Sequence, residues 1–402
     1  MHTLVIVLSL KLNEVFLMRT LKLVTLLCGG LSLFGCNDSQ PTSNDNPNPV
    51  SPSVAVVDFQ GMLEQSVEAG IPGIVLYIDS PSIQFQGAAG LADKENTIPM
   101  TTDARIPNGS AGKKVTALLM AMLHEQQLLD LDAPISDYLS DELLQQIENG
   151  DEMYVRQLLN HTAGLYDYLN DANGEFFAAV LQQPDLIKTD SFALQFALNQ
   201  DANFKPGAAW KYSNTGYLLA GLIMDKVLGE HHSKAMREYI FEPFGLSSMS
   251  YGGIEKAFGE IASGYFVDDE GNEINTQPYY ANIGVADAPI VSTAKDLGDL
   301  FKIIITSPDI PAKVREQLLG ESVWVDTDVI GQQYSMGIFS EHVGNKPVYH
   351  HNGAEIGYAT LNWYLPSENM VMSAIINCQG YNQCNTEIDK ISDKLRDTLF
   401  GL

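Results

Sequence analysis

The apolar period changes twice along this chain, and that change limits the fold more than any other feature. Phe59, Met62, Leu63 and Val67 share one face of a helix predicted over Asp58–Ala69. Gly70-Ile71-Pro72-Gly73 breaks it, and Ile74–Asp79 and Ile83–Gly87 then read as a strand pair around Ser80-Pro81-Ser82. A long helical middle follows: Val115, Leu118, Leu119 and Met122 share a face, as do Leu218, Leu219, Leu222, Ile223 and Val227. Strand patterns return at Tyr334–Phe339, Ala359–Tyr364 and Val371–Ile376, the last two joined by a turn at Pro366-Ser367-Glu368-Asn369. Ile388, Ile391, Leu395 and Leu399 then mark a terminal helix. An isolated hairpin is marginal in water, so both strand groups are expected in one antiparallel sheet. The fold class is thus α/β (α+β). Helices flank an antiparallel sheet built from about 57–110 and 290–402, and an all-α lobe occupies about 111–289.

Ahead of that domain, residues 1–35 read as an address. Lys11, Arg19 and Lys22 sit among Leu and Val runs, with Glu14 the one acid. Leu33-Phe34-Gly35-Cys36 resembles a bacterial lipobox, and Met18 gives a cleaner start for the signal. Cys36 would then be lipidated and hold the protein on a membrane facing the periplasm; an uncleaved anchor is the alternative, and cleavage without lipidation would release it. Residues 37–54 are rich in Asn, Pro and Ser and cannot repay their ordering entropy, so 36–56 are expected to be a lipidated cysteine and tether. Of the four cysteines, Cys378 and Cys384 remain for the domain. An oxidising compartment would favour a disulfide between them; two separate thiols are the alternative.

Charge narrows the partners. With 23 Lys plus Arg against 50 Asp plus Glu, the chain carries −27, which excludes a general nucleic-acid binder. Losing residues 1–35 removes three positive charges and one negative, leaving about −29. A small molecule or short peptide is the expected partner; oligomeric state stays open.

Three short motifs carry chemistry. In Ser110-Ala111-Gly112-Lys113 the lysine falls one turn after the serine, where its amine can meet an alcohol that needs a base. Ser292-Thr293-Ala294-Lys295 repeats the spacing, but Ser292 or Thr293 there reads as the cap of a helix through Leu297 and Leu300, with Asp296 completing a capping box. In Tyr212-Ser213-Asn214, a lysine nearby could drive the tyrosine toward phenolate, and Asn214 could orient that lysine. His351-Asn352-Gly353-Ala354 precedes a strand: Gly353 would permit close approach, and the Ala354 N–H could join that of Ser110 around an oxyanion.

Together these motifs resemble those of the serine β-lactamase and penicillin-recognising hydrolase superfamily, in the order SxxK, YxN and KTG/HxG. Class C β-lactamases, D-Ala-D-Ala carboxypeptidases and their esterase relatives look most alike. LLNHTAGL, FKPGAAWKYSNTGY, IVSTAKDL and GYATLNWYLPSENMVMSAIIN extend the likeness over about residues 60–400. The resemblance implies a β-lactamase/transpeptidase-like fold with Ser110 as acylated nucleophile. Lys113 and Tyr212 would transfer protons, Asn214 would join the polar network, and Ser110 and Ala354 would be the oxyanion donors. It implies hydrolysis of ester, amide or D-amino-acid peptide bonds, with a β-lactamase or a non-catalytic binding protein as alternatives. One departure bears on substrate: His351 stands where the family's lysine helps bind a carboxylate.

The remaining candidates are bland. His124-Glu125-Gln126-Gln127-Leu128 lacks the second histidine of a zincin, and Asn108-Gly109-Ser110-Ala111-Gly112 lacks the first glycine of a hydrolase elbow. His231-His232 and His350-His351 are adjacent pairs expected to point apart. No metal or cofactor is expected; Glu355 could contact a substrate amine, but reads rather as an exposed loop carboxylate.

Overall fold

Asp58 accepts a hydrogen bond from Gly61 N at 2.8 Å and so caps the first helix, α1 (Phe59–Glu68). The computed structural model describes residues 57–170, 174–268 and 270–401. The signal, Cys36 and the tether lie outside the described residues.

After α1 come β1 (Gly73–Asp79) and β2 (Gln84–Asp93), then the helical lobe with α2 (Lys113–Glu125) and α3 (Thr215–Leu228). The chain returns through α4 (Ala294–Thr306), β3 (Phe339–Val343), β4 (Lys346–His350), β5 (Gly353–Glu355), β6 (Tyr358–Leu365) and β7 (Met370–Ile376), and ends in α5 (Asn382–Phe400). Both chain ends do build one antiparallel sheet. Its order runs from Ile98–Pro99 through β2, β1, β7, β6, β4 and β3 to Gln333–Tyr334 and Val325–Asp326, with β5 paired to β6. Ile74 faces Ile376 and Val75 faces Ile375, so the two ends meet at β1 and β7.

Alternation on β7 separates the faces. Met370, Met372, Ala374 and Ile376 pack with Phe59 and Leu63 of α1 and Ile391 and Leu395 of α5. Val371 joins the cluster containing Leu297, Leu300 and Phe301 of α4, which continues into α2 and α3. Cys378 and Cys384, at the α5 end, are joined with 1.99 Å between their sulfurs.

One strand expectation fails. Of Tyr334–Phe339, only the end residues lie in strands, in the separate pieces Gln333–Tyr334 and β3. Gly337, at φ +74°, turns the chain against the start of α2, where a Cβ would stand 2.9 Å from the Lys113 carbonyl carbon. The apolar residues there are buried by that packing, with no sheet ladder through the segment.

Candidate active site

A single 3-10 turn, Gly109–Gly112, precedes α2. Such a turn eclipses residues i and i+3, and it brings Lys113 Nζ to 3.1 Å from Ser110 Oγ. Lys113 thus opens the α-helix, and Ser110 stands on the turn before it. The lysine is 0% exposed and donates also to Asn214 Oδ1 at 2.7 Å and to the Asp287 carbonyl at 2.8 Å. The Asp287 carboxylate lies 3.8 Å away. Burial pushes the ammonium below its ordinary range, while Asp287, Asp167 and Glu355 pull it back up.

Asn214, just ahead of α3, fixes the lysine from the lobe. Its oxygen accepts from Lys113, and its nitrogen donates to Asp167 at 3.1 Å. Tyr168 donates to both Asp287 oxygens at 3.3 Å. Desolvation raises the Asp167 carboxyl to about 6. These aspartates were missed in sequence; Asp167 directly follows the LLNHTAGLY stretch, which was its one signal.

Tyr212 presents its ring 5.2 Å from Lys113 Nζ. Its hydroxyl is buried and lacks a hydrogen-bond partner among the described residues. Burial pushes the phenol well above 10, although Ser110 beside it pulls the other way. The expectation of a tyrosine driven toward phenolate is therefore corrected: desolvation, with Asp287 and Asp167 adding to it, outweighs the pull of Ser110, and the resting group is a phenol. His161 holds Tyr212 from behind, with ring centroids 4.2 Å apart, and accepts from Ser213 N at 3.2 Å.

The third motif crosses the serine turn at backbone contact. A Cβ on Gly353 would lie 1.9 Å from the Asn108 carbonyl oxygen, and one on Gly109 would lie 2.9 Å from Ala354 N. Only glycines at this crossing let Ala354 stand beside Ser110. His351 is 0% exposed. Its Nδ1 lies 2.8 Å from the Asn352 carbonyl and must donate there, so Nε2 accepts from Tyr334 at 3.2 Å. Burial, with Lys114 and Lys113 adding to it, holds its pKa well below the usual value. His351 is thus a neutral, internally bonded residue.

Three further expectations change. Glu355 lies on β5, half-buried, and accepts from the Tyr280 hydroxyl at 3.0 Å. It is no exposed loop carboxylate, because Tyr280 covers it. Thr293, not Ser292, caps α4, accepting from Asp296 N at 3.2 Å. Asp296 turns to Ser248 instead of closing a capping box, and buried Ser292 donates to Asn108 at 2.6 Å. His231 and His232 sit in a loop, where adjacent rings can stack, and do so at 4.5 Å. With Asp225 they form a group that could hold a metal by spacing. Three of their four ring nitrogens are engaged, however: both of His232, with Asp225 and Tyr251, and His231 Nδ1 with Ser233.

A serine beside a desolvated lysine, on a sheet-plus-helical-lobe fold, places this chain among the serine hydrolases. The beta-lactamase family model matches residues 59–392, and the chain belongs to that family. It is 25% identical over 308 residues to Penicillin-binding protein 4* of Bacillus subtilis (strain 168), a match covering 72% of this chain and 64% of that protein. The octameric penicillin-binding protein homologue from Pyrococcus abyssi superposes with a TM-score of 0.72 at 25% identity, covering 86% of this chain and 78% of the other. A D-amino acid amidase from Ochrobactrum anthropi SV3 gives a TM-score of 0.70 at 22% identity, covering 84% and 97%.

Proposed function

We propose that this protein hydrolyses amide, ester or short D-amino-acid peptide bonds through an acyl-enzyme on Ser110, from the cell envelope. The 3.1 Å contact between the buried Lys113 Nζ and Ser110 Oγ carries the reading. Burial favours the neutral amine at Lys113 and the neutral phenol at Tyr212. Lys113 is therefore the group able to take the serine proton, and Tyr212 the one able to give a proton away. Ser110 Oγ attacks the substrate carbonyl as its proton passes to Lys113. The N–H groups of Ser110 and Ala354 receive the oxyanion. Collapse expels the leaving group, which takes a proton through Tyr212, itself resupplied by Lys113. Water then attacks the ester, its proton moving to Lys113, and Lys113 passes that proton to Ser110 Oγ as the acid departs.

A β-lactam or a peptide ending in a free carboxylate fits less well, because His351 offers no positive charge. Ser110→Ala should abolish turnover of p-nitrophenyl esters and labelling by a fluorophosphonate probe, read by intact mass. Labelling that persists in the folded variant refutes the assignment. The lipobox reading places the domain on a membrane through Cys36; radiolabelled palmitate should enter the wild type and not Cys36→Ser, and equal labelling of both would refute it.

A further inference from the structure

Beyond Ala354 the chain passes directly through Glu355 and Ile356, and each meets a different chemistry. Glu355 shares the face of β5 with Gly353, two residues away, and so points toward the serine turn and the lobe. Its charge is felt at Lys113 and at Tyr168. Tyr280 donates to Oε2 at 3.0 Å, while its oxygen accepts Ile356 N at 2.7 Å, so one phenol fixes both residues. Among the described residues Oε1 receives no hydrogen bond. Ile356 itself lines an apolar cavity with Phe177, Leu181, Phe266, Tyr279 and Ile283. That cavity is small, about 40 Å³.

We infer that Glu355 sets substrate choice. Glu355 receives an ammonium on the acyl part of the substrate. The substrate class is then an amino-acid amide, ester or peptide with a free amine. The inference rests on the serine hydrolase reading and deepens it.

Three observations converge. The position that could have paired with a carboxylate holds a buried neutral His351. Glu355 is held up to about 8 by desolvation first and by Asp287 next, and an incoming cation would oppose both by stabilising the carboxylate. The chain's net −27 attracts cations at long range.

The test compares phenylalanine p-nitroanilide, both enantiomers, with 3-phenylpropionyl p-nitroanilide, which lacks only the amine. The wild type should prefer the ammonium substrate in kcat/KM by about ten- to a hundredfold, the range for a hydrogen-bonded charge. Glu355→Gln keeps an acceptor for Tyr280 and should shrink that ratio at least tenfold. An unchanged ratio in Glu355→Gln, or a wild type indifferent to the amine, overturns the inference. p-Nitrophenyl acetate separates the two levels. If it is cleaved while neither anilide is, the hydrolase reading stands and this inference fails; if it too is untouched, the hydrolase reading fails first.

Discussion

Gly353→Ala tests how closely the third motif must approach the nucleophile. Gly353 is not in the left-handed region, so alanine brings no backbone strain, and the effect is purely steric. The new methyl would stand 1.9 Å from the Asn108 oxygen and 3.1 Å from Ala111 N, both backbone atoms of the serine turn. Neither can swing away as a side-chain end could. Restoring a tolerable contact requires β5 to retreat by roughly 1 Å, and a displacement of that size can cost about 10²-fold in rate. In the proposed mechanism the same retreat withdraws the Ala354 N–H from the oxyanion. Losing one such donor costs about 10²–10³-fold, or roughly 3–4 kcal/mol of barrier. The assay is kcat on a p-nitrophenyl ester together with the rate of fluorophosphonate labelling, with a thermal melt to certify folding. Gly331→Ala serves as control: that glycine, at φ +82°, has open space around it, so stability should fall by about 1 kcal/mol without loss of turnover. A folded Gly353→Ala enzyme turning over within threefold of wild type refutes the argument.

Asp287→Asn removes a negative charge 3.8 Å from Lys113. That charge raises the lysine's pKa, and a base works only unprotonated, so the acid limb of kcat/KM should move to lower pH by about one unit or more. A limb that stays or moves upward contradicts Lys113 as base. Lys114→Met addresses stability. Lys114 is buried, donates to the Ala111 carbonyl at 2.8 Å, and desolvation lowers its pKa well below 10.5. The folded state therefore binds fewer protons than the unfolded one, and wild-type stability rises with pH between the folded pKa and the ordinary value. Methionine should stabilise the protein at neutral pH, with an advantage that shrinks by about 1.4 kcal/mol per unit across that window. Urea melts of both proteins at several pH values check the sign, and a constant difference refutes it.

The strand runs Val371–Ile376 and Ala359–Tyr364 were legible because burial of both sheet faces leaves a near-continuous apolar signature. Tyr334–Phe339 carried a similar signature for another reason: its apolar residues are buried by a turn packing on α2. Ser110, Lys113 and Asn214 were legible because a turn and a helix start fix their spacing locally. Asp167, Asp287 and Tyr280 were not, since nothing near them in sequence separates a buried acid or phenol from the surface ones. Glu355 was misjudged for the same reason, its cover being supplied by a residue 75 positions away. Tyr212 was placed at the lysine, yet its protonation depends on burial, which only the packed site discloses.

The bonds that hold Lys113 reach 101 residues forward to Asn214 and 174 to Asp287. Closing loops of that length is costly in chain entropy and slow, so these contacts depend on the packing of whole elements. The helical lobe holds Lys113, Tyr212, Asn214 and Asp287, and the sheet brings Gly353 and Ala354 against the serine turn. Hydrolytic competence is therefore a report on the joint between the two. In refolding, recovery of ester cleavage should trail the return of helical signal, since it awaits the docking of β5 onto the turn that carries Ser110.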